Sequence, residues 1–130
     1  MREYDFERRY CIAVADDEPA IREFVGELLS ANGYRVRTAA NAMEVLMAMA
    51  SGDTIDVLLT DVSMPGLDGY ELIRQVTEQY PDTSPIIMTG FASLAGARKA
   101  TREGVFDYLP KPFTELELLV AVETAIKRQS

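Results

Sequence analysis

The sequence predicts an α/β domain: a doubly wound, five-stranded parallel sheet with helices on both faces. Two observations carry that prediction. Apolar runs at 10–15, 34–39, 55–60, 85–89 and 105–109 alternate with helical patterns at about 18–32, 41–51, 68–80, 93–103 and 113–127, and parallel neighbours need such crossover connections. The runs Ile55 to Thr60 and Pro85 to Thr89 are apolar almost throughout, as strands buried on both faces must be.

The first run holds the lone Cys11, read as a packed thiol, and ends in the acidic pair Asp16-Asp17. In the helix that follows, Ile21, Phe24, Val25, Leu28 and Leu29 share one face at helical spacing. Pro19 sits in its first turn, where a missing N–H costs nothing, and Asn32-Gly33 supply a left-handed stop. The second run leads into a helix whose Met43, Met47 and Met49 are assigned to packing rather than to a cofactor. The third run ends at Asp61 and the fourth at Thr89. In the fourth helix Leu94 is the one large apolar side chain from Ser93 to Ala100, and the interior Gly96 costs about 1 kcal/mol relative to alanine. A lightly anchored helix is expected there. The fifth run carries Tyr108, and Lys111 follows it. In the last helix Leu118, Leu119, Val122, Ala125 and Ile126 make the core stripe, with Thr114 as N-cap and Lys127-Arg128 complementing the C-terminal dipole. Leu116 and Val120 lie opposite that stripe with Lys127 in line, a candidate partner or dimer patch, although scattered exposed apolar residues are ordinary.

At 130 residues, one domain is expected over 1–130 with a core at about 9–127, burying roughly two-thirds of its unfolded surface. A formal charge of −8, from 21 acids against 13 bases, argues against a nucleic-acid surface. Arg8-Arg9 and Lys127-Arg128 are too short to overturn that. The chain has no histidine, which excludes histidine acid/base catalysis, histidine metal ligands and phosphohistidine within it. Its start, Met1 to Arg9, is charged and unlike a signal peptide. No apolar stretch approaches the roughly 20 residues of a membrane span. A soluble, cytoplasmic protein is expected, with no output domain after the fifth helix.

Ligands of a doubly wound sheet sit beyond the carboxyl ends of its strands. Asp16, Asp17, Asp61, Thr89 and Lys111 all fall there, on four different strands. Crowded carboxylates must protonate or recruit a cation, and an all-oxygen set suits a hard ion such as Mg2+. Each residue alone has a plainer reading: the acids and Lys111 as solvated loop residues, Thr89 as a strand-terminal β-branched residue, Tyr108 as a packed aromatic.

Four motifs decide between these readings: Asp16-Asp17-Glu18; Asp61-Val62-Ser63-Met64-Pro65-Gly66-Leu67-Asp68-Gly69; Met88-Thr89-Gly90; and Phe106-Asp107-Tyr108-Leu109-Pro110-Lys111-Pro112-Phe113. With these the chain resembles the receiver domain of two-component response regulators, from about Arg9 to Lys127. The resemblance implies a flavodoxin-like three-layer fold with strand order 2-1-3-4-5. It implies that Asp61 accepts a phosphoryl group, that Asp17, Asp61 and the Ser63 carbonyl hold Mg2+, and that Asp16 acts through a bound water. Lys111, ahead of a cis Lys111-Pro112 bond, would meet the phosphoryl oxygens, with Thr89 and Tyr108 as a coupled switch. The donor would be a histidine kinase or histidine phosphotransfer protein. The fourth helix, fifth strand and fifth helix would report to an output domain or effector of unknown identity and could form a dimer face. Catalysis would be limited to the chain's own phosphorylation and dephosphorylation.

The chemistry agrees, because phosphoryl transfer asks mainly for positioning and charge neutralisation. Carboxylates totalling about −3 are balanced by one Mg2+ and the Lys111 ammonium. Ser63 and Phe91 stand where family members that lose phosphate quickly carry a carboxamide or an acid. Phe91 can shield an acyl phosphate but cannot orient water, so a lifetime of minutes or more is expected. The segment Gly104 to Tyr108 looks like receivers attached to enhancer-binding transcription activators or hybrid kinases, an analogy at the level of the fold. Two rivals remain. A haloacid-dehalogenase-like Mg2+ phosphohydrolase would place a second Asp two residues after its nucleophile, where this chain has Ser63, and would carry a cap insertion. A non-phosphorylated interaction module would not need the intact set of acids and Lys111.

Overall fold

The computed structural model describes residues 9–64 and 66–128. The charged start through Arg8, including one half of the Arg8-Arg9 pair, and Pro65 of the Asp61 to Gly69 run lie outside the described residues. Strands and helices alternate along the chain: β1 Cys11–Ala15, α1 Pro19–Ala31, β2 Arg35–Ala39, α2 Ala42–Ala50, β3 Val57–Asp61, α3 Gly69–Gln79, β4 Ser84–Thr89, α4 Leu94–Arg102, β5 Asp107–Pro110 and α5 Glu115–Arg128. The strands form one sheet in the order β2-β1-β3-β4-β5, with every neighbouring pair parallel. This is the expected doubly wound order. From β1 the chain steps outward to β2, then returns to β3 on the other side, so the switch of direction lies between the ends of β1 and β3.

Alternate residues of a strand face opposite layers, and the two cores divide accordingly. On one face Ile12, Val14, Val57, Leu59, Ile86 and Met88 pack with Val25 and Leu29 of α1 and with Leu118, Val122 and Ile126 of α5. On the other, Cys11, Ala13 and Leu58 pack with Val45 and Met49 of α2 and with Leu72 and Val76 of α3. β1, β3 and β4 are buried along their whole length. Cys11 is indeed a packed thiol, and burial pushes its pKa up.

Local chemistry sets the helix ends. Pro19 occupies the first turn of α1, and Gly33 follows its end at φ +90°, where the Gly33 and Tyr34 amides donate to the Ser30 and Leu29 carbonyls. In α5 the Thr114 hydroxyl accepts from the Glu117 amide while the Glu117 carboxylate accepts from the Thr114 amide, both at 3.0 Å. That is a reciprocal capping box.

Two expectations are corrected. Phe24 is not part of the α1 core face: it lies on the flank of the stripe defined by Val25 and Leu29 and is 43% exposed. Of the α2 methionines only Met49 is buried; Met43 and Met47 are exposed, because the buried face runs through Ala42, Val45 and Met49 and leaves them on the other side. Leu116 and Val120 are exposed, as their helical phase requires. Among the described residues no helix is long and apolar enough to cross a membrane.

Candidate functional site

The ends of β1, β3 and β5 converge on one ammonium group. Asp16 is fully buried and Asp61 nearly so, yet both are ionisable groups at the carboxyl edge of the sheet. Lys111 Nζ donates to Asp16 Oδ2 at 2.7 Å and to Asp61 Oδ2 at 3.1 Å. The second oxygen of each carboxylate is also engaged: Asp16 Oδ1 accepts from the Glu18 amide and Asp61 Oδ1 from the Ser63 amide, each at 3.0 Å. Burial disfavours the charged lysine, but the hydrogen bonds and charges of Asp16 and Asp61 outweigh it and raise the Lys111 pKa above the usual lysine range.

The backbone fixes these groups in several ways. The Lys111 amide donates to the Thr89 carbonyl at 2.7 Å, tying the end of β5 to the end of β4, and the Lys111-Pro112 bond is cis. Arg22 of α1 reaches back to the Asp16 carbonyl at 2.6 Å and pins the turn that carries the acids. Gly69, at the start of α3, sits directly on the end of β3. A Cβ there would fall 2.2 Å from the Asp61 carbonyl oxygen and 2.8 Å from Val62 Cα. Only glycine permits that approach. Thr89 is buried, and its hydroxyl accepts from the Phe91 amide at 3.0 Å. Tyr108 is half-buried and packs beside Ile73, Ile87 and Ala100.

Asp16, Glu18 and Asp61 each offer one carboxylate oxygen, and these three oxygens lie within 4.8 Å of one another, a spacing at which one cation could be shared. This all-oxygen donor set fits Mg2+ and would suit a soft metal poorly. Asp17 is exposed and outside that trio, while Ser63, also exposed, adjoins Asp61 through its amide.

The sequence matches the response regulator receiver domain over residues 12–123. The chain belongs to that family. Receiver domains serve two-component systems and are not enzymes in the usual sense; they generally use Mg2+, which the acidic trio could hold. The receiver is 43% identical over 119 residues to the DNA-binding transcriptional regulator NtrC of Escherichia coli, covering 92% of this chain and 25% of NtrC. It is 34% identical to the sensor kinase CckA of Brucella abortus, covering 91% of this chain and 13% of CckA. The chain therefore spans about a quarter or less of these relatives. Among solved structures, the signal receiver domain of an HD domain-containing protein from Pseudomonas fluorescens superposes with TM-score 0.88 at 32% identity, covering 94% of this chain and 98% of that one. A CheY-like receiver from Methanospirillum hungatei does so with TM-score 0.89 at 28% identity, covering 94% and 97%.

Of the residues singled out in the sequence, Asp16, Asp61 and Lys111 meet directly, and Thr89 joins them through the Lys111 amide. Asp17 and Tyr108 stand apart from that contact. Glu18 stands in the Asp16-Asp17-Glu18 motif but was given no role, and Arg22 was missed. Their signal was present: the turn into α1 brings Glu18 back towards Asp16, and helical phase puts Arg22 one turn above Glu18, whose carbonyl accepts from the Arg22 amide.

Proposed function

We propose that Asp61 is the phospho-acceptor of this receiver, modified by the phosphohistidine of a partner kinase or phosphotransfer protein. In that reaction a carboxylate oxygen of Asp61 forms a bond to phosphorus as the bond to the donor nitrogen breaks. The observation that carries the reading is the Lys111 ammonium shared by Asp16 and Asp61, two buried carboxylates at the ends of adjacent strands. Mg2+ held there would supply the positive charge that an anionic donor needs in order to approach three or four carboxylates. Asp61, Asp17 and the Ser63 carbonyl would hold it, with Asp16 outside the direct shell, and Glu18 is the competing ligand that the trio suggests. Loss of Mg2+ affinity in Asp17→Asn but not in Glu18→Gln would favour the first set, and the reverse the second.

Lys111 meets the phosphoryl oxygens, Thr89 turns its hydroxyl from the Phe91 amide towards them, and Tyr108 moves in behind. The face of α4, β5 and α5, with exposed Leu116 and Val120, then reports to an effector or a second copy. The receiver works in the cytoplasm, where such kinases present their phosphohistidine. The test is labelling of the chain by acetyl phosphate with Mg2+, read by intact-mass spectrometry. Wild type should gain one phosphoryl group and Asp61→Asn none. Equal labelling of both, or of neither, would refute the assignment.

A further inference from the structure

Helix α4 belongs to the reporting face, yet the body of the domain holds little of it. Ala100 is its buried residue, and Leu94 is 68% exposed. A tyrosine on another helix supplies the missing tether. Tyr70, on the first turn of α3, donates its hydroxyl to the Gly96 carbonyl at 3.3 Å. One turn further along α4, the Lys99 ammonium stands 4.5 Å from the centroid of the Tyr70 ring. The ring is packed beside Ile73, Ile87 and Ala100.

Gly96 is the second observation. A Cβ there would lie 3.0 Å from the Tyr108 hydroxyl and 3.3 Å from the Tyr70 hydroxyl. An interior glycine weakens a helix, and here the bare backbone makes room for both hydroxyls at once. Tyr108 is the proposed switch residue. Thr89 still bonds its own loop through the Phe91 amide, so this notch belongs to the unmodified arrangement.

We propose that Tyr70 is a positioning residue of the switch: it clamps α4 so that Gly96 receives Tyr108, and thereby sets how readily phosphorylation moves both. The proposal rests on the phosphorylation reading above. Tyr108 cannot move inward without leaving the Gly96 notch, and the clamp holds that notch in place. Stabilising the unmodified arrangement must, by linkage, weaken binding of a phosphoryl group or its mimic by the same factor. Removing the hydroxyl should then strengthen that binding, which no loss of general stability would do.

The probe is beryllofluoride with Mg2+, titrated against wild type and Tyr70→Phe, with amide exchange followed in parallel. Tyr70→Phe keeps the ring over Lys99 and removes the hydroxyl. Exchange at 94–102 should quicken severalfold while 19–31 is unchanged, and beryllofluoride should bind about fivefold tighter, the factor expected for one hydrogen bond. Lys99→Gln should shift both readings the same way by less. Unchanged α4 exchange in Tyr70→Phe would overturn the proposal, as would a loosened α4 with unchanged or weaker beryllofluoride binding. If neither wild type nor variant binds beryllofluoride while α4 loosens, the phosphorylation reading fails and the clamp on α4 is supported.

Discussion

Replacing Lys111 with methionine leaves an unbranched apolar side chain one atom shorter and removes the one ammonium between Asp16 and Asp61. In the wild type its side chain is 14% exposed and the two carboxylates 0% and 8%, so little water is present to take its place. Removing one partner from a buried ion pair costs about 3–5 kcal/mol. We therefore expect a loss of about 3 kcal/mol at pH 7 in chelator. With an unfolding entropy near 2.1 cal/mol/K per residue, about 0.27 kcal/mol/K for a chain of 130 residues, that lowers Tm by roughly 11 °C. Mg2+ should narrow the gap. A cation that binds only the native state stabilises it by mass action, and the variant, with one positive charge fewer at the site, should bind Mg2+ more tightly. Thermal melts followed by circular dichroism, in chelator and in about 10 mM Mg2+, read both effects. A variant as stable as wild type in chelator at pH 7, or a gap that widens on adding Mg2+, would refute the reasoning.

Other outcomes follow from particular side chains. Thr114→Ala breaks the capping box of α5 and should cost about 1 kcal/mol in urea unfolding at unchanged m-value; a midpoint equal to wild type would count against it. The aspartyl phosphate should persist for minutes, since exposed Phe91 cannot orient water and Ser63 brings neither a carboxamide nor an acid, and Ser63→Asn should shorten it; decay of wild type within seconds would sink that expectation. Burial holds the Cys11 thiol neutral in the folded chain with its pKa raised. The associated stability is present below the unfolded thiol value of about 8.5 and is lost as pH rises through the folded one. Cys11→Ala should therefore lose less stability than wild type between pH 8 and the alkaline limit of folding (roughly pH 10), and identical alkaline slopes in the two proteins would contradict this.

The strands and helices were legible because burial is written into the chain as period. Val57 to Leu59 and Ile86 to Met88 are apolar on both sides of the sheet, and both sides are covered. The stripe of α5 matched for the same reason. Phe24 and Met43 were misread because a large apolar side chain at the margin of a stripe carries the same sequence signal whether it turns in or out; the neighbouring helix decides. At the site, Asp16, Asp61 and Lys111 were visible because each ends or follows a strand. Tyr70 was invisible: its partner, Gly96, lies 26 residues away on another helix, and no periodicity within α3 or α4 encodes that distance.

The seat of Gly69 on the end of β3 divides the molecule mechanically. With no side chain between them, the first turn of α3 and the strand bearing Asp61 are in backbone contact and must travel together. Across the sheet, β5 is a short edge strand and α4 buries only Ala100. Charge added to Asp61 in the proposed reaction therefore meets a backbone contact on the α3 side, and the room to move lies across the sheet at the lightly held α4.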